Sequence, residues 1–428
     1  MKRFAAALLM ASFSAPSYAQ ASQETLAEAV ASAFSNNPSL QGQRRTRLTA
    51  DEGLAQARAA LRPTLGLSGL YGADEREVGQ PFGGAFDGFS QRSSLGIEAR
   101  QTIYAGGSLT AGRRQAEATV EAFDGRLLAF EQNLVLQVVT AFVDVRRAEE
   151  EVAIRETNVG SLRTQVQAAT ARFDVGEVTR TDVAQAQARF AGSEANLATA
   201  RANLSQSRAL YEQLVGMPAV QLAAPPATPA IPAALDDALV AALAENPDIR
   251  AARAAADAAE EGVGVARGAL RPRVGIVGSA GMQESYQDQT FRNTNVGVAA
   301  ELSIPFYTGG LTNSRTRLAR LEADRARFDR MAAERAIAAQ VTSSWHTVIA
   351  ARQGIEASLS RVQAAEIALE GAEQELSVGT RITLDVLDQE RELLEARLGL
   401  VDAQRSEYVA VHQLLAGIGR LQPERIAR

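Results

Sequence analysis

Few residues in this sequence could do chemistry, and their types exclude most catalytic classes. There is no cysteine among the 428 residues, which removes disulfides, thiol nucleophiles, Cys-based metal sites and a lipid-acceptor cysteine. His346 and His412 each stand alone on a helical stretch, with no second His or Cys at metal-ligand spacing. Both read as surface or seam residues. There is no G-x-S-x-G elbow, H-E-x-x-H pair or Walker loop, and Gly262-Val263-Gly264 lacks the third glycine of a dinucleotide fingerprint. The sequence therefore points away from an enzyme, with no cofactor and no metal expected. What remains is a set of carboxylates. Asp385 and Asp388 lie i, i+3 on one helix face behind Val378-Gly379. Asp385 falls in a first helical turn, where exposed N–H groups favour any carboxylate. Asp388 lies a turn further in, where capping does not explain a charge. Asp182 follows Gly176 at the same spacing, within Thr179-x-x-Asp182, which also reads as a capping box.

These carboxylates follow two turns around which the chain is organised. Phe173–Ala186 reads FDVGEVTRTDVAQA and Leu376–Gln389 reads LSVGTRITLDVLDQ. In each, a Val-Gly pair interrupts a long helical pattern. Glycine supplies the left-handed residue that ends one helix, and Thr and Asp are expected to cap the next. Each stretch therefore reads as the tip of a helical hairpin.

The two tips belong to two copies of one unit. Leu26–Leu67 matches Leu235–Ile276, with Asn37-Pro38 facing Asn246-Pro247 and Ala57–Leu67 (ARAALRPTLGL) facing Ala266–Ile276 (ARGALRPRVGI). Tyr104-Ala105-Gly106-Gly107 pairs with Tyr307-Thr308-Gly309-Gly310. The expected division is a first repeat over 20–222, a Pro-rich linker over 223–234 and a second repeat over 235–428. Each unit opens with helix, which is broken at Asn-Pro because the residue before proline avoids the α region.

Strands come next. Thr64–Tyr71, Ser93–Ile103, Val274–Met282 and Val296–Ile304 alternate with period two, the mark of half-buried strands. The opposite faces carry Ser68, Ser94, Glu98, Arg100, Ser279 and Glu301. Gly79–Gly88 and Gln287–Asn293 read as the hairpin loops. Four strands cannot close a barrel, and open edges are not tolerated in lipid. Either the hairpins form a small soluble sheet, or several chains pool strands into one barrel, which apolar/polar alternation over ~10 residues also fits.

Long helices follow. A seam runs through Leu134, Val138, Ala141, Val145, Ala148, Val159, Leu162 and Ala169, then returns through Ala186, Phe190, Ser193, Leu197 and Tyr211. The second unit repeats it from Val341, Trp345 and Val348 to Leu387, Leu394, Val401 and Tyr408. This is antiparallel coiled-coil patterning, and about 65 helical residues reach roughly 100 Å.

Composition agrees. The chain is 46% apolar but only 5% aromatic, which suits long helices. Its net charge is −6 with no basic stripe, so nucleic acid is not an expected partner. Lys2-Arg3, the apolar Phe4–Phe13 and Ser17-Tyr18-Ala19 form a secretory signal over 1–19. No later run supplies the ~18 apolar residues of a membrane helix.

Together these features resemble the TolC family of outer-membrane efflux and secretion channels: signal peptide, tandem repeat, paired strand hairpins, very long helical hairpins and Val378–Asp388 (VGTRITLDVLD). The Asn-Pro, A-R-x-x-L-x-P and Tyr-x-Gly-Gly motifs also match. The resemblance covers essentially the whole mature chain. It implies a mainly α fold with a β-barrel part, in which a homotrimer shares one twelve-stranded barrel in the outer membrane of a Gram-negative bacterium. An α-helical tunnel would extend into the periplasm, where an adaptor and an inner-membrane pump of RND, ABC or MFS type would engage its tip. By the same resemblance Asp385 and Asp388 would face the pore. Arg381 would bridge to Thr181 and Asp182 on the neighbouring outer hairpin, with Gln165 and Glu373 joining the network. Val175, Gly176, Val378, Gly379 and Thr380 would form the adaptor-contacting tips. Leu376 departs from the family, which carries a tyrosine there. Small-molecule efflux and type I protein secretion both stay open as cargo classes. The alternative from another class is a soluble periplasmic coiled-coil scaffold or adaptor.

Overall fold

A computed structural model describes residues 23–79, 85–286 and 290–422. The predicted signal segment lies outside the described residues. The first half contains α1 (Leu26–Asn36), α2 (Pro38–Ala59), β1 (Thr64–Gly79), β2 (Ala85–Ala105), α3 (Ser108–Asp174) and α4 (Arg180–Val215). The second repeats the order as α5 (Leu235–Glu245), α6 (Pro247–Gly268), β3 (Arg273–Tyr286), β4 (Thr290–Ser303), α7 (Leu311–Ser377) and α8 (Thr383–Ile418). Both α3 and α7 have 67 residues, and both α4 and α8 have 36.

The four strands form one antiparallel sheet in the order β1-β2-β3-β4, so each repeat supplies a hairpin and β2 joins β3. Register places Leu67 opposite Ile97, and Ile97 opposite Ala280, which faces Val296. One sheet face is thus apolar and bare: Leu65 is 77% exposed and Val296 82%. The other face holds Glu98 and Arg100, with Arg100 paired to both Glu98 and Glu301 at 3.1 and 3.2 Å. The strands run further than alternation of apolar residues predicts. Pairing continues through polar residues, with Ser90 donating to Asp74 at 3.0 Å and Arg292 paired with Glu284 at 2.6 Å. The expected loops are therefore partly strand, since β2 begins at Ala85 and β4 at Thr290; residues 80–84 and 287–289 lie outside the described residues. Backbone pairing does not require an apolar side chain, so hydropathy underestimates strand length.

The main core lies midway along the long helices. Leu26, Val30 and Ala33 of α1 pack with Val138, Phe142 and Val145 of α3, Tyr211 of α4, Val341 of α7 and Leu414 and Ile418 of α8. Trp345 packs at its edge. Toward the tips the seam is thinner, and Phe173 and Leu359 are exposed.

The helices also join end to end. The Asn37 side chain accepts from Leu40 N at 3.1 Å and donates from Nδ2 to Leu214 O at 3.1 Å. It caps the start of α2 and the end of α4 at once. Asn246 accepts from Asp248 N (2.9 Å) and Ile249 N (3.2 Å) and donates to Gly417 O at 2.9 Å, joining α8 to α6. The proline after each Asn needs no N–H partner at the first helical position. Gly419 turns at φ +90°, where an added Cβ would lie 2.6 Å from Glu245 O. The long α3 spans the junction. Its first half meets α2 and α6 (Arg47–Asp124 at 2.7 Å, Arg114–Glu261 at 3.1 Å), and its second half meets α4 and α8 (Arg208–Glu149 at 2.9 Å, Arg405–Asp144 at 2.7 Å).

Candidate functional site at the helical tips

The first tip closes as the sequence predicts. Val175 ends α3, Gly176 turns at φ +80°, and Thr179 caps α4. Thr179 N donates to Asp182 Oδ2 at 2.8 Å, and Asp182 N donates to Thr179 Oγ1 at 3.3 Å. Asp182 is therefore engaged in capping within its own chain.

The second tip is built differently. Gly379 turns at φ +78°, but Ile382 takes the N-cap position of α8 and offers no side-chain acceptor. The expected Thr/Asp cap is absent here. Thr380 instead closes α7: its N and Oγ1 both donate to Glu375 O at 2.9 Å. Arg381 pairs with Glu375 Oε2 at 2.5 Å, on its own hairpin. Within one chain, then, Arg381 does not reach Thr181 or Asp182. Thr181 is exposed, as are the tip residues Val175, Gly176, Val378, Gly379 and Thr380.

Asp385 and Asp388 have different partners in the structure. Asp385 sits in the first turn of α8 and has no ion pair among the described residues. Asp388 accepts from Arg189 Nη2 of α4 at 2.8 Å. The guanidinium offsets the charge of Asp388 within the chain. Two residues further, Glu390 is buried and its Oε2 has no hydrogen-bond partner. Gln165 of α3 and Glu373 of α7 lie near its carboxyl, the first favouring the charged form and the second opposing it. Burial, only partly offset by Gln165, pushes the Glu390 carboxyl up to about 7. Within one chain Gln165 and Glu373 both neighbour Glu390.

Arg189 and Glu390 were not among the residues singled out from sequence. Glu390 carries a signal all the same: it lies three residues after Leu387 and four before Leu394, on the apolar seam. A charge at a seam position has to be paired, neutralised or functional. Higher up, Arg405–Asp144 (2.7 Å) and Arg147–Asp402 (2.5 Å) tie α8 to α3.

His346 is exposed. His412 is buried, stacked on Tyr408 with ring centres 4.5 Å apart, and its Nδ1 lies 2.7 Å from Tyr408 O. Among the described residues no group of three or more His, Asp or Glu side chains is placed to hold a metal ion.

The architecture is one of paired hairpins tipped with turns and crowned by an apolar-faced sheet. The family described as outer membrane efflux protein matches residues 29–217 and 238–420. This chain belongs to that family. Outer membrane efflux protein BepC of Brucella suis is 32% identical over 404 residues, covering 94% of this chain and 87% of BepC. Outer membrane protein TolC of Vibrio cholerae is 27% identical over 416 residues, covering 94% and 92%. The crystal structure of the transmembrane channel CusC superposes with a TM-score of 0.81 at 18% identity, covering 93% of this chain and 92% of that one. As an outer membrane efflux protein the chain is a channel component of the outer membrane, extending into the periplasm, and not an enzyme. The soluble-scaffold alternative is not favoured. In this efflux protein the strand hairpins and the helical tips lie at opposite ends of the long helices α3 and α7.

Proposed function

We propose that three copies of this chain form one exit duct, gated at the helical tips and opened by partners. One observation carries the reading. The sheet has bare strands at both edges, β1 and β4, and one face of exposed Leu, Ile, Val and Met side chains. Unpaired strand edges are not stable in hydrocarbon, and four strands cannot close on themselves. Three sheets joined edge to edge make twelve strands with no edge left.

The helices of the three chains then enclose a tunnel. Asp385, three times repeated, places negative charge at its mouth and favours cations. Asp388 adds to that charge when Arg189 releases it. Arg381, held by Glu375 within the chain, bridges across to Thr181 and Asp182 of the next chain in the closed assembly. Gln165 and Glu373 support the same closure. Val175, Gly176, Val378, Gly379 and Thr380 offer exposed turns to a periplasmic adaptor, and an inner-membrane pump of RND, ABC or MFS type drives transport. The cargo is a small molecule or an unfolded polypeptide, delivered by that pump.

Membrane fractionation followed by electrophoresis without boiling tests the assembly. The expected result is an SDS-resistant trimer in the outer-membrane fraction. A monomer in the soluble periplasmic fraction overturns the proposal.

A further inference from the structure

Four stretches join the sheet to the helices: 59–73, 101–116, 262–283 and 302–321. They hold nine arginines and no aspartate or glutamate, in a chain whose net charge is −6. At the far ends of the strands the signs are mixed, with Asp74, Glu75, Glu77 and Glu284 beside Arg76 and Arg292. The positive excess is therefore confined to the side of the sheet where it meets the helices.

Pairing within the chain uses up little of this charge. Arg113 lies 3.8 Å from Glu117, and Arg114 lies 3.1 Å from Glu261. Arg271 donates to the carbonyl of Gly106 at 3.3 Å. Arg273 stands opposite Ser303, on the polar strand face that carries Glu301. Arg62, Arg267, Arg317 and Arg320 are exposed, and none has an ion pair among the described residues. Arg317 and Arg320, three apart, share one face of α7.

The strand side of this level is apolar. Leu302 and Ile304 are exposed, Phe306 is 100% exposed and Tyr307 86%. Aromatic rings at the end of an apolar band suit the boundary between hydrocarbon and headgroups. The depth of the basic zone agrees. Along α7, Arg320 lies roughly 14 Å beyond Leu311, and acidic residues resume only at Glu322. A headgroup layer of ~6 Å followed by a screening length of ~8 Å spans about the same distance.

We propose that Arg62, Arg267, Arg317 and Arg320 form a basic collar that binds anionic phospholipid headgroups of the periplasmic leaflet. The guanidinium fork pairs with phosphate oxygens through two parallel N–H donors. A free phosphate would leave Leu302, Ile304 and Phe306 bare, whereas a phospholipid covers them with its acyl chains while its phosphate meets the collar. The bound leaflet then fixes the depth at which the sheet sits. The collar rests on the placing of the sheet in the membrane and is independent of any gate at the tips.

Native mass spectrometry of the full-length protein in a neutral detergent tests the proposal, with phosphatidylglycerol and phosphatidylcholine as the added lipids. An arginine near an anionic lipid surface contributes about fivefold to binding. Phosphatidylglycerol is expected to bind at least tenfold more tightly than phosphatidylcholine at low salt, and the preference is expected to fall as salt rises. Replacing the four arginines with Gln is expected to bring phosphatidylglycerol down to the phosphatidylcholine level. Replacing the same four with Lys is expected to retain the preference, which separates lost charge from lost folding. Arg172→Gln with Arg180→Gln, at the distant tip, is expected to change nothing. Equal binding of the two lipids by the wild-type protein overturns the collar and leaves the membrane placement standing. An equal loss of preference in the tip variant also overturns it, since net charge would then suffice. Displacement by inorganic phosphate alone overturns the lipid as the occupant. A protein that takes up neither lipid overturns the membrane placement on which the collar depends.

Discussion

Asn246 donates its side-chain amide to the carbonyl of Gly417 at 2.9 Å, although 171 residues separate them. Through this contact one buried side chain ends α8 and begins α6. Asn37 and Leu214 repeat the arrangement in the first half. The short helices thereby continue the hairpin arms toward the membrane, without a covalent link between the stacked ends.

Replacing Asn246 with Ala is expected to destabilise the protein by about 2 kcal/mol, because it removes an N-cap and leaves the part-buried carbonyl of Gly417 without that donor. Thermal unfolding, followed by loss of helical circular dichroism, reads this directly. Asn37→Ala is expected to act in the same direction. An unchanged midpoint in both would remove the splice from the account of the fold.

Gly419 and Gly379 both adopt positive φ, but their surroundings differ. A Cβ at Gly419 would strike Glu245 O, whereas at Gly379 it would meet nothing within 4 Å. Gly379→Ala is expected to cost about 1 kcal/mol, the left-handed penalty alone. Gly419→Ala is expected to cost clearly more, since the backbone of α5 must also shift. Equal midpoints for the two variants would contradict the close approach.

His412 is buried, which lowers its pKa, and its neighbours Tyr408 and Glu407 (paired with Arg352) raise it only in part. The neutral imidazole therefore stabilises the fold above the ordinary value of about 6.5, and that stability is lost as pH falls below it. Between pH 7.5 and pH 5 the wild-type unfolding midpoint is expected to drop. His412→Phe is expected to flatten part of that drop. A parallel decline in both proteins would assign the acid sensitivity to other groups.

At the mouth, Asp385→Ala is expected to lower cation selectivity, measured as the reversal potential across a salt gradient in planar bilayers. Asp388→Ala is expected to change selectivity less and to raise conductance, because it frees Arg189. Arg381→Ser is expected to raise conductance by breaking closure between chains. Reversal potentials that do not respond to Asp385→Ala would leave that carboxylate as a helix cap only.

The repeat, the hairpins and the strand faces were legible because each is written in a local period: Val-Gly at the tips, steps of three and four along α3, alternation from Leu65 to Tyr71. The cap at Thr179 was legible for the same reason. Three features were not. Ile382 replaces the expected cap because Thr380 folds back onto Glu375, a choice among competing local bonds that spacing does not rank. Arg189 meets Asp388 across nearly half the chain, and pairing between distant helices leaves no periodic mark. The stacking of α4 on α2 depends on which carbonyl the Asn37 amide finds, and that partner is 177 residues away.

Arg147–Asp402 and Arg405–Asp144 fasten the inner hairpin to α3 well above its tip. Everything below Asp402 on α8 is then a lever arm. From Asp402 to Asp385 it measures roughly 25 Å, so a tilt of about 10° at the fastening sweeps the mouth carboxylate through roughly 4 Å. In the proposed trimer so small a swing, repeated around the three-fold axis, would widen the aperture without any helix unwinding, and the two ion pairs would act as fulcrum rather than as lock.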